Sequence, residues 1–210
     1  MKPLRSLSRP WRGPAIALGC AALLAGCLTR PALVKESFAM PTPTIRSTPA
    51  PGGQVLGLRN IAVSPLFAGK SFVYRTGEHS FERDSYAEFL VPPALAFLGP
   101  LRAHLRNTGL FADVTETDSA LVPSRLAEIH LGELYGDFRS PNEAFAVLSL
   151  RVLLLADAPG KGGHVALQKD YARRLPLPRR TAAALAAGWS QALEEIGAEL
   201  AADLRAAGDK

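Results

Sequence analysis

The sequence predicts an α+β fold: a single domain with a mainly antiparallel sheet packed against two helical segments, preceded by a signal peptide and a Pro-rich tether. Three observations predict it. Two runs between residues 127 and 154 alternate apolar and polar side chains at the period of a half-buried strand. Near the end of the chain, Leu185, Trp189, Leu193, Ile196, Leu200 and Leu204 recur at the three-to-four spacing of a helix with one apolar face. Strands in series followed by a helix favour a helix laid on one sheet face over a doubly wound sheet.

The first element is an address. Lys2, Arg5, Arg9 and Arg12 precede an apolar stretch at residues 14–25, well short of the roughly 18–20 residues that a spanning helix needs. It ends in Leu24-Ala25-Gly26-Cys27, which reads as a lipobox. The Cys27 sulfur takes a diacylglyceryl thioether, and cleavage in front of it makes residues 1–26 a lipoprotein signal peptide. Cys20 lacks the branched apolar residue that Leu24 supplies three positions upstream of Cys27, and it leaves with that peptide. The competing reading, an ordinary secretory signal, would strand Cys27 as a lone thiol in an exported protein, which is unusual. Residues 27–53 are the acylated N-terminus and a tether carrying Pro31, Pro41, Pro43, Pro49 and Pro51. Such a segment extends by roughly 3 Å per residue, unless part of it lies along the domain.

Residues 54–210 are the folded domain. It opens with a strand signal from Val55 to Val63, ended by Ser64-Pro65. Phe72 to Arg75, Thr76-Gly77 and Glu78 to Arg83 form a hairpin pattern. Helical character is expected from Asp84 through Asn107, with Leu95, Leu98, Leu101 and Leu105 as its apolar stripe. Pro92-Pro93 and Gly99-Pro100 divide it into two short helices or kink one. Phe111 to Val114 reads as a short strand. Ala127, Ile129 and Leu131 alternate, Gly132 breaks register as a bulge would, and Leu134 and Phe138 resume it. Beyond Ser140-Pro141-Asn142, Ala146, Leu148, Leu150, Val152 and Leu154 share one strand face. A third run from Val165 to Leu175 completes a meander, which the helix from Thr181 to Ala206 should cover.

Charge and motifs exclude several function classes. The chain has 24 Lys+Arg against 19 Asp+Glu, but four of the basic residues and none of the acidic ones lie in the signal peptide, leaving about +1. No basic cluster exceeds a pair, so a nucleic-acid partner is not expected. Gly69-Lys70-Ser71 copies the end of a phosphate loop, but Ser64 stands where its first glycine belongs and a strand follows it. His79, His104, His130 and His164 fall on four separate elements, without metal-ligand spacing, and no nucleophile elbow is present. Glu194-Glu195 reads as a solvated helix face. No catalytic residue, cofactor or metal is therefore assigned, and the one site residue is the lipidation site Cys27. Phe67, Phe72, Tyr74, Phe81, Tyr86 and Phe89 are read as core, with the alternative that some face outward toward a partner or acyl chain.

The stretch Phe72-Val73-Tyr74-Arg75, Asp84-Ser85-Tyr86-Ala87-Glu88, a Leu-spaced helix and Asn107-Thr108-Gly109-Leu110-Phe111-Ala112-Asp113-Val114 resembles the ABC-type transport auxiliary lipoprotein family. The lipobox, the early strand ending in proline, the meander and an Ala-rich closing helix containing Ser190-Gln191-Ala192-Leu193 follow that family's order over most of the mature chain. Two departures stand out: Tyr86 where members usually carry Trp, and residues 90–99, which have no equivalent in the family's helix. The resemblance implies a non-catalytic component of an MCE-type (mammalian cell entry) intermembrane lipid transport system. It would be held in the outer membrane bilayer through acylated Cys27, face the periplasm and serve the MCE-type subunit of an ABC transporter. Some relatives form rings, so a homo-oligomer is left open. Leu28, where an inner-membrane retention signal would have Asp, agrees with transfer to the outer membrane. The alternatives are an outer-membrane assembly or secretion-complex scaffold, and a lipid-anchored hydrolase, which would need a pocket uniting a Ser or Asp with a His.

Overall fold

In the computed structural model, residues 34–46, 53–116, 119, 121–156 and 164–208 are described. Nine strands make one sheet: β1 (Glu36–Phe38), β2 (Val55–Leu58), β3 (Ala62–Val63), β4 (Ser71–Arg75), β5 (Phe81–Phe89), β6 (Asp113–Glu116), β7 (Arg125–Asp137), β8 (Phe145–Ala156) and β9 (His164–Pro176). Two helices, α1 (Pro93–Asn107) and α2 (Ala182–Gly208), accompany it. The class is α+β, as the sequence implies. The β7–β8–β9 meander is antiparallel. On its other edge, β7 takes β2, β3 and β4 in succession, all parallel to it.

The meander follows the alternation in the sequence. Ala146, Leu148, Leu150, Val152 and Leu154 are all buried, and the β7–β8 register shifts between Leu131 and Glu133, where Gly132 makes the expected bulge. All six apolar residues of the α2 stripe are buried too. Gly188 lets that helix sit directly on the sheet, since a Cβ there would lie 2.7 Å from the Ala146 Cβ. Trp189 fills the centre of the core, 4.8 Å from the Phe72 ring and 5.3 Å from the Phe89 ring. Its indole Nε1–H donates to the Val147 carbonyl at 3.1 Å.

Several expectations need correction. The Val55–Val63 run is two strands, β2 and β3, separated at residues 59–61. The helix expected from Asp84 begins nine residues later, because β5 continues to Phe89. Asp84 explains the error. Its Oδ1 accepts the Tyr86 and Ala87 N–H groups at 2.7 and 3.0 Å, the pattern a helix N-cap makes, but here within a strand. The prolines set the true start: Pro92 is the N-cap and Pro93 the first helical residue, where a missing N–H costs nothing. Pro100 is buried inside a single helix, not at a division between two. That helix ends as Gly109 takes φ 65°, a left-handed conformation that glycine adopts without a Cβ clash. Leu95 leaves the stripe and is exposed, while Leu98, Leu101 and Leu105 are buried.

Part of the Pro-rich segment lies along the domain, the alternative that the sequence leaves open. Lys35–Lys210 forms one compact unit, so the boundary read at residue 53 shifts toward residue 35. β1 pairs parallel with β5, with Phe38 opposite Phe89. Met40 is buried, and Phe38 packs 5.1 Å from Phe72. Beyond it, the Asn107 side chain donates to the Thr44 carbonyl at 3.0 Å and accepts the Arg46 N–H at 2.8 Å. The prolines at 41 and 43 carry the chain across the domain surface instead of projecting it away.

Candidate functional site

The sheet face away from α2 carries rows of paired polar side chains. Strand register aligns His130, Arg151 and Asp170 across β7, β8 and β9. The Arg151 guanidinium donates to Asp170 at 2.6 and 3.3 Å and holds its carboxyl below the ordinary range. One row along, Ser149 lies over Gly132, whose missing side chain leaves room: a Cβ there would be 3.0 Å from the Ser149 Oγ. The result is a depression of about 330 Å³ lined by His130, Gly132, Ser149, Arg151 and Asp170. A serine, a histidine and an aspartate thus share one hollow, a juxtaposition no sequence spacing reveals. Both Asp170 oxygens accept from the Arg151 guanidinium in that hollow.

A second hollow, an open cleft of about 480 Å³, lies between the β4–β5 turn and the β7–β8 connection. Asp137, only 3% exposed, anchors it. Arg139 donates to its two oxygens at 2.9 and 2.8 Å, and Arg174 adds a bond at 3.3 Å while lying over the Phe145 ring. The Arg139 hydrogen bonds hold the Asp137 carboxyl far below the usual carboxylate range, against the opposing effect of burial. A folded-state pKa below the unfolded value near 3.9 means that this stabilisation is complete above that value and lost as pH falls through the folded one. Asp137→Asn should therefore cost about 1–2 kcal/mol at pH 7, less than for a fully buried pair because both arginines reach solvent. Urea titrations at pH 7 and pH 3 check it: the gap between variant and parent should narrow at the lower pH.

The third feature is an apolar lip where β5 turns into α1. Leu90, Val91 and Leu95 are 57%, 40% and 57% exposed, and Tyr86, in β5 four residues before Leu90, is 49% exposed. Between them Glu88 holds Lys35 at 2.6 Å and Lys70 at 3.9 Å. The lip is tied to β1, since the Leu90 N–H donates to the Phe38 carbonyl at 2.7 Å.

No protein-family model and no curated protein matches the chain. Solved structures do, two of which align at TM-scores above 0.6. A Xanthomonas campestris protein described under family DUF330 aligns with TM-score 0.67 at 18% identity, over 80% of this chain and 95% of that one. A crystal structure of an uncharacterized protein aligns with TM-score 0.65 at 14% identity, over 81% of this chain and 99% of that one. What this likeness shows is the fold.

Cys27 lies outside the described residues. The aromatic cluster divides between two places. Phe72 and Phe89 join Trp189 in the core, while Phe67 stacks with Tyr135 on the opposite face, and Phe81 and Tyr86 reach solvent. Among the described residues, no three of His, Cys, Asp and Glu gather where they could hold a metal ion. His104 meets α2 at Gly197, and burial lowers its pKa. Glu195, read as a solvated residue, joins an ion-pair network instead: Arg173 bridges Glu195 and Glu199, and Lys169 bridges Glu199 and Asp203. Only the strand register, which turns Lys169 and Arg173 toward α2, makes that network visible. No described helix is long and apolar enough to cross a membrane.

Proposed function

We propose that this chain is a non-catalytic, lipid-anchored periplasmic component of an ABC transport system with an MCE-type subunit, which moves lipids or other hydrophobic molecules between the inner and outer membranes. The observation that carries the reading is the lipobox ending at Cys27, eight residues before a folded unit whose resemblance to the ABC-type transport auxiliary lipoproteins runs through most of the mature sequence. Acyl chains at Cys27 would hold the protein to the outer-membrane bilayer, and the domain would act by binding.

The test is recovery of partners. The full chain, tagged at its C-terminus and solubilised in mild detergent, should co-purify with an MCE-type subunit identified by mass spectrometry. Recovery of an outer-membrane β-barrel in its place would replace this reading with that of an assembly or secretion scaffold.

A further inference from the structure

We infer that the lip formed by Leu90, Val91 and Leu95, with Tyr86 and the Lys35–Glu88–Lys70 cluster beside it, is a bilayer-contact surface that lays the domain against the membrane to which it is anchored. The inference rests on the proposed acylation of Cys27 and goes beyond it, since an anchor on a long leash would leave the domain's orientation free.

Chain length commits the lip to this occupant. Had residues 27–53 all been tether, an extended chain of that composition would span roughly 80 Å. With β1 docked from Glu36, eight Cα steps separate Cys27 from Lys35, and these reach at most about 29 Å. The domain cannot leave the neighbourhood of the surface that holds its first residue. β1, on the way in from the anchor, ends at Phe38, whose carbonyl binds the Leu90 N–H. The exposed apolar residues thus sit one short strand from where the tether meets the fold.

The chemistry of the lip suits a membrane interface better than a dry protein contact. Apolar side chains occupy its end, and the exposed Tyr86 stands in β5 four residues before Leu90, a residue type that favours the boundary between headgroups and acyl chains. Two lysines share one glutamate, so the cluster carries a net positive charge toward anionic headgroups. Pro92 and Pro93 hold the turn that presents Leu90, Val91 and Leu95 together.

The mature acylated chain has no free thiol, because Cys20 leaves with the signal peptide and Cys27 is modified. Leu90→Cys and Leu95→Cys variants can therefore each carry a single environment-sensitive fluorophore. Glu143→Cys, in the cleft by the β4–β5 turn at the other end of the hairpin, is the control. The acylated variants are reconstituted into phosphatidylethanolamine–phosphatidylglycerol vesicles and floated on a density gradient. Probes at 90 and 95 should shift to the blue, brighten roughly twofold or more and be quenched by nitroxide-labelled lipids, while the probe at 143 stays aqueous. Floating protein with aqueous probes at 90 and 95 overturns the lip and leaves the anchor standing. Blue-shifted probes that the lipid nitroxides fail to quench overturn it in favour of a protein cover, such as a second copy. Protein that does not float overturns the acylation at Cys27 and, with it, this inference.

Discussion

Trp189→Ala is expected to cost about 3–5 kcal/mol, the range for truncating a fully buried aromatic side chain. Trp189 is 0% exposed and lies where α2, β4 and β5 meet, so its removal opens a hole bordered by Phe72 and Phe89. These neighbours belong to a sheet already fixed by backbone pairing and cannot close over it. For a chain of this length each kcal/mol shifts the melting temperature by about 2–4 °C, so a fall of roughly 6–20 °C should appear in a thermal melt followed by circular dichroism. Trp189→Phe separates two contributions. It restores much of the volume but no N–H for the Val147 carbonyl, and should recover more than half of the loss. Equal losses in the two variants would show that the hydrogen bond, not the packing, holds this position.

Trp189 was legible from its place in a repeating apolar stripe, and so were the β7–β8–β9 meander and the Gly132 bulge. In α2, β7 and β8 one face is buried along nearly its whole length, so the period of burial is written into the period of the residues, whereas β9 buries Tyr171 alone. What stayed hidden depends on partners distant in sequence. β1 is three residues, Glu36-Ser37-Phe38, too short to show a period, and it is a strand because β5 offers it an edge. Asp84 makes cap-type hydrogen bonds in either a helix or an irregular strand, and pairing with β4 and β1 decides which. The gathering of His130, Ser149 and Asp170 is likewise a product of register across three strands. For the candidate site itself, the sequence offers Cys27 and the unexplained residues 90–99. The structure turns part of the latter into an exposed lip beside β1.

On the proposed acylation of Cys27, the docking of β1 also changes what such an anchor would do mechanically. A long Pro-rich leash would leave partner choice to diffusion within a wide shell, whereas a short one confines one end of the sheet near the bilayer. The Asp137 cleft lies at the far end of the β4–β5 hairpin from the lip, near the turn at residues 76–80. With the lip against lipid, that cleft would face away from the surface, toward the space a partner must cross.

Cys27→Ser, made behind an ordinary cleavable secretory signal so that export still occurs, is expected to move the protein from the membrane fraction to the soluble periplasm. One acyl chain binds a bilayer only marginally, stable anchoring needs two signals, and each buried methylene contributes about 0.8 kcal/mol. A serine oxygen cannot form the thioether, so all of that affinity goes at once, and the membrane-bound fraction should fall by roughly tenfold or more on cell fractionation. Intact-mass measurement checks the premise, since the parent must carry the added mass of its acyl chains at residue 27. The variant is informative a second time. Whatever weak vesicle binding survives without the anchor comes from the domain surface alone, and adding Leu90→Glu and Leu95→Glu should abolish it, because each places a charge where the lip would enter the headgroup layer. Residual binding that ignores those two substitutions would mean that the acyl chains hold the domain to the membrane with no help from the lip.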